Sequence, residues 1–275
     1  MSRIENILKI NFSHDYVARL SRNLFSIYMI VFFSSLVISH KLIFSSLSEL
    51  QFEFFKFLIW FALLCCIGTF SRRSFIPCLL CIYTIFVLIN FYRFSIYQFH
   101  NSFIGLATLL FCLVPFKNKF DESDLKFFKK LQFLTLAFLS FSYTLSGLSK
   151  WLNPGWINGD VSGWIIGNYI VRPFWAEHYS HQFRSLGIFF SWPTLLVETA
   201  PLILFSFRPL RPFSWLLGVI LNIGILLLLQ LSQVSFILLL FHVLTFDPDW
   251  VKLLSTFIFK LKRFAFVGNG KGGCK

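Results

Sequence analysis

The chain has 275 residues, 56% of them hydrophobic and 13% charged, and its 25 Lys and Arg against 12 Asp and Glu give a formal charge of +13. A mean hydropathy of +0.71 excludes a soluble domain, because a single core cannot hide that much apolar surface. The basic excess sits in short connections between apolar runs, so it reads as a topology signal and not as a nucleic-acid footprint.

The expected fold class is all-α, a polytopic transmembrane helical bundle of about eight spans with an N-terminal interfacial helix and the lipid bilayer as its first partner. Residues 1–23 mix Arg3, Lys9, Arg19 and Arg22 with Ile4, Ile7, Leu8, Phe12 and Val17, too polar a mixture to span, and are expected to lie on the cytoplasmic interface. The following apolar run lacks a small-residue cleavage pattern, which predicts an uncleaved first span. Eight apolar segments follow, at about 24–39, 54–70, 76–92, 103–116, 131–148, 188–206, 213–230 and 232–246, in a membrane domain taken as 24–250. Only Gln230 to Gln233 separate the last two, so Ser232 marks a tight turn or one limb is re-entrant. Residues 251–275 read as a basic cytoplasmic tail with a Gly-rich end. In that end the lysine is not followed by the Ser or Thr a phosphate loop requires.

Under eight spans, one face collects 19 of the 25 Lys and Arg, in the N-terminus, Arg72 and Arg73, Lys117 to Lys130, Arg208 and Arg211, and the tail. Lys41, Lys56, Arg93, Lys150, Arg172 and Arg184 fall on the other. The positive-inside rule then places both termini in the cytoplasm and the loop from Ser149 to Gly187 outside.

Lys150 closes the fifth apolar run at the mouth of that loop. A cation beside hydrocarbon snorkels, pairs or gives up its proton, so Lys150 reads either as a snorkelling residue or as a general base. The loop carries Trp151, Trp156, Trp164 and Trp175, the composition of an interfacial belt or of a lid over a cavity between spans five and eight. Glu198 lies inside the sixth span, three residues before Pro201. It reads as a pin between helices or as a proton relay, matched by a cation or a polar partner. Glu177, His178 and His181 lack a third ligand of zincin type, and no metal site is expected. Cys78 and Cys81 form a Cys-x-x-Cys pair on the reducing side, where packing is the ordinary role. The remaining cysteines suggest no disulfide framework.

The stretch from Tyr143 through Gly147 to Lys150, followed by Pro154, Gly155, Trp156 and Gly159, resembles the signature of the HTTM family (horizontally transferred transmembrane domain), which includes the membrane part of vitamin K-dependent gamma-carboxylase. The likeness continues at Trp192-Pro193 through Glu198 and at Ser235-Phe236 through Asp247-Pro248-Asp249-Trp250, in the family's order. Within the family the chain looks most like the membrane subunits of the sporulation-delaying antimicrobial peptide system. That resemblance implies a bacterial cytoplasmic (inner) membrane location, a secreted peptide as substrate and a partner maturation subunit. It places Lys150 on the lysine that acts as a base in the carboxylase. One family histidine lands on Asn101, with His100 displaced by one, and another lands on Asn222. Asparagine cannot exchange a proton near neutral pH, so two of three titratable positions are missing.

The expected function is therefore maturation or processing of a secreted peptide on the outer face, with Lys150 as the catalytic candidate. Tyr143, Trp156, Glu198, Asn222, His100 and Asn101 are expected to shape the pocket. A vitamin K-dependent carboxylase-like enzyme and a noncatalytic scaffold, assembly partner or immunity factor are the alternatives. The residues specify no cofactor.

Overall fold

A computed structural model describes residues 13–43, 49–92, 98–166, 186–228 and 232–251. These are helical, with no strand among them: α1 (His14–Ile43), α2 (Glu49–Gly68), α3 (Phe75–Tyr92), α4 (Gln98–Cys112), α5 (Glu122–Trp151), the short α6 (Pro154–Ile157) and α7 (Asp160–Ile166), α8 (Gly187–Ser206), a 3-10 turn (Arg208–Leu210), α9 (Arg211–Leu228) and α10 (Ser232–Thr245). Five stretches are long and apolar enough to cross a membrane: His14–Ile38, Gln51–Gly68, Glu122–Trp151, Gly187–Ser206 and Arg208–Leu228. The other three apolar runs also form helices, α3, α4 and α10. The 15 residues of α4 extend about 22 Å at 1.5 Å per residue, less than a hydrocarbon core of ~30 Å.

Polarity is distributed as lipid requires. On α5 the buried side carries Gln132, Thr135, Ser140, Thr144 and Gly147 among Phe128, Leu131, Leu136, Leu139 and Tyr143, whereas Leu134, Phe138, Phe141, Leu145 and Leu148 face outward. A water-soluble helix reverses this arrangement; helices in lipid place small and polar residues between them. The apolar core is built chiefly from α1 to α4, α10 and the first half of α5. Phe25 and Phe111 stack within it at 4.3 Å between centroids. The second half of α5, with α8 and α9, makes the more polar side of the bundle.

The basic connections converge on one end. Arg22 donates to the Pro115 carbonyl and lies 4.4 Å from the Phe116 ring centroid. Thr69 donates to Ser26 at 2.7 Å, Lys129 reaches Asp249 at 3.2 Å, and the Arg211 guanidinium packs on Phe133 and Phe205. The start of α1, the α2–α3 and α4–α5 connections and the end of α10 therefore share this end, and Lys150 stands at the opposite one.

The expected boundary at residue 23 falls within a helix. One helix runs without a break from His14 to Ile43, so residue 23 lies inside α1. The residues that looked too polar to enter are sorted by face: Arg19 and Asn23 point outward, and Arg22 is buried on a carbonyl and a ring. Residues 1–12, the Gln230 turn, Trp175 with Glu177, His178 and His181, and the tail from 252 lie outside the described residues.

Two helices position Lys150 and Glu198. Asp121 caps α5 by accepting the Asp124 N–H at 2.8 Å. That bond, with the Lys117 ammonium and the Ser123 hydroxyl, holds the Asp121 carboxyl well below the usual carboxylate range. At the other end α5 meets α8 at Gly147, where a Cβ would sit 2.7 Å from Thr199 Cγ2 and 3.0 Å from the Glu198 backbone. Only a residue without a side chain allows this approach. We expect Gly147→Ala to cost about 1–3 kcal/mol of stability through overpacking. Adding Thr199→Ser, which deletes the nearest methyl, should restore part of it, read as thermal unfolding midpoints in detergent.

Candidate functional site

Tyr143, Ser146, Gly147 and Lys150 recur at helical spacing, so one face of α5 presents all four towards α8, α9 and α10. At the C-terminal end of α5, Lys150 Nζ forms an ion pair with Glu198 Oε1. Ser146 donates to the second Glu198 oxygen at 3.1 Å, so both carboxylate oxygens are engaged. The pair is shielded, with side-chain exposures of 20% for Lys150 and 6% for Glu198. The Trp156 ring closes over the ammonium at 4.7 Å from its centroid, a cation–π contact strengthened by desolvation.

Pro201 places Glu198 in a locally loosened helix, because proline cannot donate to the carbonyl four residues earlier. Neighbouring helices take up polar groups around it. The Leu202 N–H donates to Thr144 Oγ1 at 3.2 Å, and Ser214 donates to the Pro201 carbonyl at 3.1 Å. The expected matching of Glu198 by a cation is thus met by Lys150, a partner 48 positions away in sequence.

A second polar tier lies about two helical turns further in. Asn222 Nδ2 donates to Tyr143 Oη at 2.5 Å and to the Gly218 carbonyl at 2.8 Å. Tyr143 Oη is 3.0 Å from His242 Nε2. Gly218 makes this possible, since a Cβ there would lie 2.5 Å from His242 Cε1. Trp215 donates to the His242 carbonyl at 2.6 Å and meets its ring edge-on. With Tyr143 accepting from Asn222, its own proton is available to His242 Nε2, which leaves Nδ1 as the N–H. Asn222 Oδ1 and His242 Nδ1 have no hydrogen-bond partner among the described residues, although Asn222 and His242 are almost fully buried. Unsatisfied buried groups of this kind call for a bound water or a ligand group.

The structure therefore joins Lys150, Glu198 and Trp156 in one tier and Tyr143 and Asn222 in another. His100 and Asn101 fall in the first turn of α4, and their side chains lie outside the described residues. His242 was missed. Its signal was in the sequence, an ionisable residue inside the last apolar run, which is a functional candidate by default. Its presence corrects the inference that Asn222 leaves the inner position without a titratable group: an imidazole from α10 stands beside that asparagine.

The described residues after α5, through α6 and α7, fold against α8. Ser162 and Ser191 bring α7 onto α8 with hydroxyl oxygens 2.5 Å apart, and Gly159, at φ +83°, lies against the backbone of Gly187 and Ile188. Trp151 meets Trp192 edge-on at 5.4 Å, whereas Trp164 remains exposed. A cleft of about 560 Å³ opens between α7 and the start of α8, lined by Asn158, Asp160, Trp164 and Ile188 among others. Lys150 does not line it; the amine faces Glu198 and Trp156. Cys65, Cys66, Cys78, Cys81 and Cys112 are free thiols.

No family model, curated protein or solved structure matches this chain.

The ion pair makes a specific thermodynamic demand. Lys150→Met strands a buried carboxylate and Glu198→Leu strands a buried ammonium, and each should cost about 3 kcal/mol or more. The double replacement removes both charges and should cost under ~1 kcal/mol. A double-mutant cycle on detergent unfolding measures this coupling.

Proposed function

We propose that this chain is an eight-span membrane protein of HTTM type, resident in a bacterial cytoplasmic membrane with both termini in the cytoplasm. In this reading it takes part in maturing a secreted peptide at the outer face, together with a partner maturation subunit. One observation carries the reading: a Lys–Glu pair, closed over by tryptophan, at the end of the bundle opposite the basic connections. The convergence of those connections on one end supports the sidedness. The helical state of all eight apolar runs supports the span count.

The pair supplies proton chemistry without bulk water. Shifting one proton along the Nζ to Oε1 hydrogen bond converts ammonium and carboxylate into amine and carboxylic acid with no change in net charge, which a low-dielectric site tolerates well. The amine can then take a proton from a bound substrate, becoming ammonium again while Glu198 keeps its proton as the acid. The Tyr143–Asn222–His242 tier offers hydrogen bonds to a group held deeper in the bundle.

Two other readings have an observation each. His242 beside Asn222 favours a carboxylase-like base mechanism, because it returns a titratable group to the inner tier. Engagement of both Glu198 oxygens favours a noncatalytic scaffold in which the pair only pins α5 to α8.

The Lys150→Met/Glu198→Leu double variant separates these readings, since it keeps the helix contact and removes the proton chemistry. With a peptide encoded beside this chain as substrate, we expect normal membrane abundance and a fall of about 100-fold or more in mature peptide by mass spectrometry, the scale of lost acid–base catalysis. Unchanged processing at unchanged abundance would reject the acid–base role and leave the scaffold.

A further inference from the structure

At the end of the bundle opposite Lys150, three acceptor groups converge where α1 begins and α10 ends. His14, Asp247 and Asp249 each offer one ligand atom within 4.8 Å of the others. Two carboxylates near each other are common without a ligand; the histidine makes this cluster different. The His14 side chain is one-tenth exposed, and its Nε2 has no hydrogen-bond partner although it points at Asp247 Oδ1, 3.8 Å away. That separation is too long for a hydrogen bond.

Gln132 determines which ring nitrogen is bare. Its Nε2 donates to the Leu244 carbonyl at 3.0 Å and to the Phe246 carbonyl at 2.8 Å, two acceptors that fix the orientation of the amide. Its Oε1 is then the atom facing His14 Nδ1, at 3.1 Å, and an oxygen there requires Nδ1 to carry a proton. In the neutral ring Nε2 is consequently a lone pair aimed at a carboxylate. A donor shared with an oriented oxygen on one nitrogen and a free lone pair on the other is the outer-shell arrangement of metal-bound histidines. The aspartates are held in place as well, since the Asp249 N–H donates to Asp247 Oδ1 at 2.9 Å across Pro248.

We propose that His14, Asp247 and Asp249 bind one divalent first-row transition cation, with zinc as the reference ion, clamping the start of α1 to the segment after α10. Zinc bonds of about 2.0–2.2 Å to nitrogen and oxygen place neighbouring ligands roughly 3–3.6 Å apart, so the 3.8 Å gap between His14 and Asp247 closes with a small inward shift, and Asp249, within 4.8 Å of both, must draw in with it. Water completes a tetrahedral shell through the adjoining cleft of about 340 Å³. Lys129 competes for the site, because its ammonium lies 3.2 Å from Asp249 Oδ2. It is about half exposed and can swing into solvent when a dication arrives. This inference is independent of the reading given to Lys150.

The test uses the full chain in detergent, stripped with a chelator, reloaded with zinc and measured by elemental analysis and chelator competition. We expect one zinc per chain, binding weakened at least 10-fold by His14→Gln and by Asp249→Asn, and binding tightened by Lys129→Met. Zinc should raise the unfolding midpoint of the wild type and not that of Asp249→Asn, whose exposed position leaves the fold intact. Cobalt loading should give the ligand-field bands of a tetrahedral N,O site in the wild type and in Lys129→Met and not in His14→Gln or Asp249→Asn. Failure of the wild type to retain zinc, or equal retention by wild type, His14→Gln and Asp249→Asn, would overturn the site and leave a direct His14–Asp247 contact.

Discussion

The approach of α5 to α8 at Gly147 is the contact on which the Lys150 end of the bundle depends. A lysine and a glutamate in low dielectric are each costly alone and tolerable together, and they can meet only if their helix backbones come close. Gly147 removes the side chain that would hold α8 away. Pro201 loosens α8 beside Glu198, and Thr144 and Ser214 take up hydrogen bonds at that point. Ion pair, glycine and proline thus form one device, in which backbone irregularity is allowed because neighbouring helices supply the missing partners.

From this contact the polar interior extends inwards as a second tier. Tyr143 sits two turns before Lys150 on the same face of α5, and it gathers Asn222 from α9 and His242 from α10. A soluble protein would fill such a space with hydrocarbon. Here hydrocarbon covers the outside, so hydrogen bonding rather than apolar burial distinguishes one helix face from another. The far end follows the same logic, with Arg22 seated on a carbonyl and an aromatic ring, and Gln132 spanning His14 and the last carbonyls of α10.

Much of the fold was legible. The described part of each of the eight apolar runs is mainly helical, and five of these helices are long and apolar enough to cross a membrane, as the need to satisfy backbone polar groups inside an apolar block requires. Glu198 inside an apolar run and Lys150 at the end of one stood out as charges, Asn222 was marked by the family resemblance, and all three lie in the two tiers. The boundary at residue 23 rested on composition alone. It assumed that Arg19 and Arg22 see the same surroundings, whereas they lie on different faces of α1 and Arg22 finds a carbonyl contributed 93 positions later. His242 escaped for a related reason: nothing local to α10 shows that Gly218 and Tyr143 will open a niche for its ring.

Composition and hydropathy by themselves determined the helical class, the apolar runs and the clustering of positive charge, since these follow from the cost of exposing backbone and charge to hydrocarbon at each point along the chain. Pairing was decided only by the tertiary structure. Which carboxylate meets Lys150, which imidazole meets Tyr143 and which nitrogen of His14 is left bare depend on contacts between helices far apart in sequence, set by glycine-permitted closeness and by the directions of hydrogen bonds.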